Sequence, residues 1–187
     1  MTRHYTQAGT TLLELIIAIT LVSILLAMAS PSWNSLISRT QHQGLKNDLI
    51  GLINLARTTA IMERTSVTLC PLNEQQKCVK DWSRDIVIFR DPGRKRQLDN
   101  PSQIVRVMKA PARGHLQGNT GLRSYFGFRP DGMAREAIGN IIWCPQDLDP
   151  RNAFQIRINM GGRPLLARDS NGDGIAEDAQ GKPLSCA

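Results

Sequence analysis

Residues that could do chemistry are concentrated near the C-terminal end of this chain, where oxygen-bearing side chains recur at alternate positions. Carboxylate and amide oxygens at alternate positions, with glycine at the sixth, are what a loop needs to wrap a hard cation such as Ca²⁺. The residues that fit this pattern are Asp169, Asn171, Asp173, Ile175 and Glu177, and Asp178 at the tenth position is a further candidate ligand in a shorter loop. The twelfth position holds Gln180 instead of a bidentate glutamate. The pattern therefore predicts either a shortened calcium loop or an Asp/Asn/Gly-rich turn without an ion.

A second group of charged residues is basic. Arg94, Lys95 and Arg96 follow a Pro-Gly pair and are expected in a loop. Each of them could neutralise a DNA phosphate and add salt-sensitive affinity, but we favour the alternative interpretation of a solvated turn. The chain carries a formal net charge of +7, which is weak evidence for an anionic partner, either nucleic acid or a lipid surface. Aromatic residues make up only 5% of the chain, so extended base stacking is not expected.

No constellation typical of an enzyme is found in the sequence. It contains no nucleophile elbow, phosphate-binding loop, HExxH motif or close pair of carboxylates on a helix. The three histidines, His4, His42 and His115, are scattered and lie far in sequence from the cysteines. We therefore expect a structural or binding protein without a zinc site.

Four cysteines, Cys70, Cys78, Cys144 and Cys186, lie in the C-terminal two thirds of the chain. An even number of cysteines in an exported domain predicts disulfides. Four cysteines allow three pairings. The short loop between Cys70 and Cys78 favours a bond between these two, which leaves Cys144 to pair with Cys186 and tie the tail to the sheet. The disulfides imply a periplasmic or extracellular domain.

The N-terminal segment combines a polar leader with an apolar run. The leader contains Arg3 and ends at Gly9, and the apolar run covers residues 12–29 with Glu14 as its one ionisable group. This length is about the minimum for a bilayer-spanning helix. A lone carboxylate costs roughly 2.5–3.5 kcal/mol of insertion free energy at the bilayer centre. A plain membrane anchor has no use for this charge, whereas a subunit that packs against copies of itself does. Pro31 is expected to kink or break the helix.

The rest of the chain predicts an α+β fold. Residues 32–64 continue the helix, and one face of it is apolar and expected to pack on a sheet: Leu45, Leu49, Leu52, Ile53, Ala56 and Ala60. Residues 65–168 contain six or seven strand-like segments, among which residues 65–70 and 154–158 alternate between apolar and other residues. Residues 169–187 form a tail. The expected architecture is a long N-terminal helix, with a membrane half and an amphipathic half, packed on an antiparallel β-sheet domain.

The N-terminal residues 9–15, with the sequence GTTLLEL, resemble the type III signal of type IV prepilins and type II secretion pseudopilins. The resemblance implies that residues 1–9 are a leader, that prepilin peptidase cuts between Gly9 and Thr10, and that Thr10 is methylated. Residues 10–31 are then the transmembrane and assembly helix. Glu14 would neutralise the terminal ammonium of a neighbouring subunit, because opposite charges in a low-dielectric bundle are far cheaper together than apart. The family usually has Phe after the cut, and Thr10 departs from that.

Several further blocks resemble the GspH/FimT family, and the likeness extends to about residue 168. The blocks are residues 55–61, 67–71, Cys78 with 81–83, Phe126 with 131–132, and 162–163. The resemblance implies a type IV pilin-like fold and a minor pilin that acts as a structural or priming subunit in pilus assembly and twitching motility. The alternative with the same body plan is the minor pseudopilin H of type II secretion.

The same resemblance implies the partners and the cellular location of the protein. Its partners would be other minor and major pilins or pseudopilins, prepilin peptidase and the bacterial inner membrane. The chain would cross that membrane once, with its C-terminal domain in the periplasm, and then enter the pilus or pseudopilus. No cofactor is implied, which leaves calcium in the tail as the one candidate.

A third function is a pilus-associated DNA receptor for natural transformation. DNA-binding FimT proteins carry Gly-Arg-x-Arg on a late hairpin, whereas this chain has Gly162-Arg163-Pro164-Leu165 and its next arginine is Arg168. The second arginine of the motif is therefore missing, which argues against DNA capture by this hairpin.

Overall fold

The computed structural model describes residues 11–134 and 138–186, with the backbone only for residues 27–39 and 41. Helix α1 spans Leu12–Met62. Its backbone is helical on both sides of Pro31 and at Pro31 itself, so of the kink or break expected at this residue, the break does not occur. A proline removes one backbone donor, and the helix continues through its remaining hydrogen bonds. The chain forms two compact units, Met1–Gly44 and Leu45–Ala187.

The second unit contains two antiparallel sheets of four strands each. The strands are β1 (Val67–Pro71), β2 (Ile86–Arg90), β3 (Ile104–Met108), β4 (His115–Asn119), β5 (Phe126–Phe128), β6 (Gly139–Cys144), β7 (Phe154–Ile158) and β8 (Pro164–Leu166). One sheet has the order β3-β2-β1-β5 and the other has the order β4-β6-β7-β8. Short 3₁₀ helices at Pro101–Gln103 and Pro150–Asn152 precede β3 and β7. The α+β architecture expected from the sequence is thus confirmed, with two sheets in place of one.

The core of this unit lies between the last turns of α1 and residues of both sheets. The predicted helical face is confirmed, since Leu49, Ile53 and Ala56 have no exposed surface. All five residues of β1 are buried, which differs from the alternation expected there. Side chains on both faces of β1 are therefore covered, and the strand lies between β2 and β5 in the middle of its sheet.

Strand β4 was not predicted from the sequence, because its residues carry little apolar pattern. The strand pairs with β6 in antiparallel register. A Cβ atom at Gly118 would overlap the indole ring of Trp82, so glycine lets this ring cross the strand at close range. Trp82 in turn meets Phe126 edge-on, with ring centroids 5.6 Å apart. Only the tertiary contact explains why this polar segment is a strand.

Two turns dock closely against the end of α1. The Arg57 side chain donates from Nε to the carbonyl oxygen of Gly161 at 3.1 Å, and Ala134 N donates to Met160 O at 2.9 Å. Gly162 has φ +71°, and a Cβ there would overlap the Gly132 carbonyl oxygen. This glycine therefore permits both the left-handed backbone and the close approach of the two turns.

We expect the substitution Gly162→Ala to lower the free energy of unfolding by about 3 kcal/mol, combining the left-handed penalty with an overlap against backbone. Urea unfolding of the full chain in mild detergent, followed by tryptophan fluorescence, measures it. The matched control is Gly121→Ala, since Gly121 has φ +65° with nothing within 4 Å of an added Cβ, and should lose about 1 kcal/mol. Equal losses in the two variants would contradict a role for the close approach.

Candidate functional site

The candidate processing and assembly residues lie at the start of the chain. Gly9 and Thr10 are outside the described residues. The backbone N–H of Glu14 donates to Thr11 Oγ1 at 3.3 Å, and the Leu15 N–H donates to Thr11 O at 3.1 Å. Thr11 thus caps the helix, and Glu14 occupies its first turn. A carboxylate in this position interacts favourably with the positive end of the helix dipole.

The turns of α1 that follow expose apolar side chains. The exposed large apolar residues of this stretch are Leu12, Leu13, Leu15, Ile16, Ile17, Ile19, Leu21, Val22, Ile24, Leu25 and Leu26, each at least 47% exposed. Among the residues that the structure describes, no helix is both long and apolar enough to cross a membrane.

Both disulfides predicted from the sequence are present. Cys70 bonds to Cys78 across a separation of 8 residues, and Cys144 bonds to Cys186 across a separation of 42 residues. The second bond fixes the tail to β6 and lies in a small cluster with Ala153.

The basic loop at residues 94–96 is organised by a buried acid that the sequence analysis did not single out. Asp91 is 3% exposed and accepts hydrogen bonds from Lys95 N at 2.8 Å, Arg96 N at 3.0 Å and Thr68 Oγ1 at 3.0 Å. The loop is therefore a folded turn around a carboxylate. The Asp-Pro-Gly sequence at residues 91–93 is a turn signal that could have indicated it.

Two of the cations in this loop face protein groups. Lys95 Nζ lies 2.7 Å from Asp99 Oδ2, and the hydrogen bond to Asp99 raises the pKa of Lys95. The guanidinium carbon of Arg96 lies 4.9 Å from the centre of the Tyr125 ring, within cation–π range. These contacts support the interpretation of a structural turn.

The two arginines of the late hairpin flank β8. Arg163 precedes the strand in the β7–β8 turn, where its N–H donates to Asn159 Oδ1 at 3.0 Å. Arg168 follows the strand, and its carbonyl oxygen accepts from Glu177 N at 3.1 Å. Arg168 thus stands at the base of the acidic tail, whose carboxylates repel phosphates.

The acidic tail folds into a loop whose ends meet at that bond between Arg168 and Glu177. Asp169, Asp173 and Glu177 each place a carboxylate oxygen within 4.8 Å of the others. Asp178 does not join them, because its Oδ1 accepts from Gln180 N at 2.8 Å and from Lys182 N at 2.9 Å. The structure therefore separates Asp178 from the other predicted ligands.

A polar groove lies beside the tail on the second sheet. It has a volume of about 470 Å³ and is lined in part by Asn140, Gln155 and Arg157, together with residues 178–180. Asn140 Oδ1, Gln155 Oε1 and Arg157 Nε are buried without a hydrogen-bond partner. These three atoms are therefore buried polar groups whose hydrogen bonding is unsatisfied. No periodic signal in the sequence indicated the groove.

Two profiles of known protein families match this chain. Residues 46–162 match the family profile described as type II transport protein GspH, and residues 5–30 match the prokaryotic N-terminal methylation motif. No curated protein sequence matches the chain.

Among solved structures, the chain is similar to the type IV minor pilin FimU of Pseudomonas aeruginosa PAO1. For one crystal form the TM-score is 0.54 at 16% identity, covering 80% of this chain and 97% of FimU. For a second form the TM-score is 0.52 at 16% identity, with 78% and 99% covered. The minor pseudopilin EpsH from the type 2 secretion system of Vibrio cholerae aligns with a TM-score of 0.49 at 10% identity, covering 71% of this chain and 99% of EpsH. The FimU likeness shows a shared fold.

Proposed function

The chain belongs to the GspH family of type II transport proteins, and we propose that it is a minor pilin, a structural or priming subunit of a type IV pilus. One observation carries the proposal: the family domain is joined to a helix with eleven exposed, large apolar side chains between residues 12 and 26. Such a surface needs an apolar environment. The inner membrane provides it before assembly, and the helices of neighbouring pilins provide it in the filament.

Processing of this subunit follows from its N-terminal motif. The methylation motif covers residues 5–30 and so includes Gly9 and Thr10. This supports cleavage between them by prepilin peptidase, followed by methylation of Thr10. Residues 10–31 then hold the chain in the inner membrane in a single pass, and the second unit lies in the periplasm. Two disulfides in that unit suit an oxidising compartment.

Glu14 serves assembly in this proposal. It lies in the first turn of α1, only a few residues from the terminus that cleavage would create at Thr10. A buried ammonium without a partner is strongly destabilising, whereas a carboxylate from the next helix neutralises it. Pairing between Glu14 and the ammonium of a neighbour therefore sets the axial position of one subunit against the other.

The second candidate is the minor pseudopilin H of a type II secretion system, and the description of the matched family favours it. Both candidates use the same helix and domain. A DNA-receptor role has less support, because Lys95 and Arg96 face protein groups and the hairpin lacks the second arginine after Arg163.

Deletion of the gene in its native host separates the two candidates. We expect the deletion strain to lose surface pili and twitching motility while it still exports its hydrolases, with recovery on complementation. Loss of hydrolase export with intact pili would instead assign the chain to type II secretion. Loss of DNA uptake in a strain that still twitches would favour the receptor role.

We expect the substitution Gly9→Val to block processing, since the peptidase needs a small residue at the cut. Mass spectrometry of the chain extracted from membranes should find residues 10–187 with one added methyl group in the wild type, and the uncut chain in the variant. The matched control is Gly51→Val, because an added Cβ at Gly51 has nothing within 4 Å. Normal cleavage of the Gly9→Val chain would overturn the proposed processing site.

A further inference from the structure

The acidic loop at residues 169–177 concentrates negative charge. Asp169, Asp173 and Glu177 bring carboxylate oxygens within 4.8 Å of one another. Among the ion pairs of the described residues, none joins Lys or Arg to these three carboxylates. Three like charges at this distance repel one another. The arrangement is therefore unfavourable unless a positive charge lies among them.

Glu177 distinguishes this loop from an ordinary acidic turn. The residue as a whole is only 6% exposed to solvent. Its Oε2 accepts from both the N–H and the hydroxyl of Ser170 at 2.8 Å, while its Oε1 is buried with no hydrogen-bond partner. An unpartnered oxygen of a buried carboxylate carries the full cost of desolvation. A cation bound between Glu177 and the two aspartates removes that cost.

The loop is already shaped for such an ion. Asp169 accepts through Oδ1 from Gly172 N at 2.6 Å and through Oδ2 from Gly174 N at 2.8 Å. These backbone hydrogen bonds hold the Asp169 carboxylate in place inside the loop. Both glycines have positive φ, so the backbone can fold back around the carboxylate.

From these observations we propose that residues 169–177 bind one Ca²⁺ ion, with Asp169, Asp173 and Glu177 as carboxylate ligands. The three carboxylate oxygens lie within 4.8 Å of one another, close enough to share one ion. Ca²⁺ accepts an all-oxygen shell with flexible geometry, whereas Mg²⁺ demands a near-ideal octahedron. Asn171 and the Ile175 carbonyl occupy the intervening alternate positions and supply further oxygens, and water completes the shell.

The ligand set ends at the ninth position of the loop. The twelfth residue, Gln180, belongs to the next turn, where its N–H donates to Asp178. Glu177 thus takes the closing role that a bidentate glutamate has in a twelve-residue loop. The backbone beyond it returns through the bond from Leu184 N to Ala176 O at 2.9 Å and ends at the Cys144–Cys186 disulfide. The ion and this disulfide therefore hold the two ends of the tail.

The test uses the full chain, purified in mild detergent and freed of divalent ions with a chelator. Titration with CaCl₂ in a calorimeter should give one site with a Kd on the order of 10⁻⁴–10⁻³ M, the range of extracellular calcium modules. At about 10 mM CaCl₂, well above that range, the melting temperature should rise by about 5 °C. The same concentration of MgCl₂ should give less than half of that shift.

Two variants remove ligands and a third serves as the control. Asp173→Asn should weaken Ca²⁺ binding at least about tenfold, and its amide oxygen can still accept from Ile175 N. Glu177→Gln should abolish the response to Ca²⁺ and, in chelator, should melt no lower than the wild type, because it removes a buried charge. Asp178→Asn changes the same charge one residue away and should bind as the wild type does.

Several results would overturn the proposal. They are the absence of both heat and melting shift with CaCl₂, an equal response to MgCl₂, and an unchanged response in Asp173→Asn or Glu177→Gln. Loss of binding in Asp178→Asn alone would move the site to the next turn and also reject this ligand set. None of these outcomes bears on pilus assembly, so the test is independent of the proposed function.

Discussion

Replacing both Cys144 and Cys186 by alanine is expected to lower the free energy of unfolding by about 4 kcal/mol. The bond joins residues separated by 42 positions. Closing a loop of that length lowers the conformational entropy of the unfolded chain, which stabilises the folded state by about this amount. The tail has few other apolar contacts, chiefly those around Leu184 and Ala153. Denaturant unfolding of the full chain in mild detergent, followed by tryptophan fluorescence, measures the loss.

The Cys70–Cys78 bond supplies the matched control. Its partners are separated by only 8 positions, so the double alanine variant should lose about 2.5 kcal/mol. Each pair has one cysteine with no exposed surface, Cys70 or Cys144, which makes the packing losses comparable. If the Cys144–Cys186 variant lost no more stability than this control, the longer closed loop would not explain how the Cys144–Cys186 bond stabilises the fold.

The parts of this fold that the sequence predicts are those governed by local periodicity. The apolar face of α1 was predicted because its residues recur at helical spacing, and Leu49 and Ile53 are indeed fully buried. Strands such as β7 were predicted because Phe154, Ile156 and Ile158 alternate with other residues. The cysteine pairing followed from chain separation. For the helix and the strands, the signal lies within one segment of chain.

The features that escaped prediction depend on contacts between distant segments. Strand β4 pairs with β6 and accommodates Trp82 at Gly118, and nothing in its own sequence shows these contacts. The basic loop is ordered by Asp91, whose burial depends on Thr68 of β1. In the tail, the spacing predicted a cation loop, but it could not show that Glu177 is buried or that Asp178 pairs with the next turn.

The substitution Glu14→Val is expected to reduce incorporation of the chain into filaments at least about tenfold while leaving its amount in the membrane unchanged. Membrane insertion should not suffer, because valine is cheaper than a carboxylate in lipid. Assembly should suffer, because the ammonium of a neighbouring Thr10 then enters the helix bundle without a partner, which costs about 3–5 kcal/mol. Immunoblots of sheared filaments and of membranes from the same cells give the ratio.

Two controls separate charge from a general change in the helix. Ser23→Val also replaces a polar side chain of the exposed stretch by an apolar one, but the Ser23 hydroxyl only donates to Ile19 O of its own helix at 2.7 Å, so filaments should form normally. Glu14→Gln keeps the size and the cap at Thr11 but lacks the charge, so it should fail as valine does. Normal incorporation of either Glu14 variant into filaments would contradict the proposed role of the carboxylate. Reduced incorporation of the Ser23→Val variant would instead indicate that helix packing is the cause.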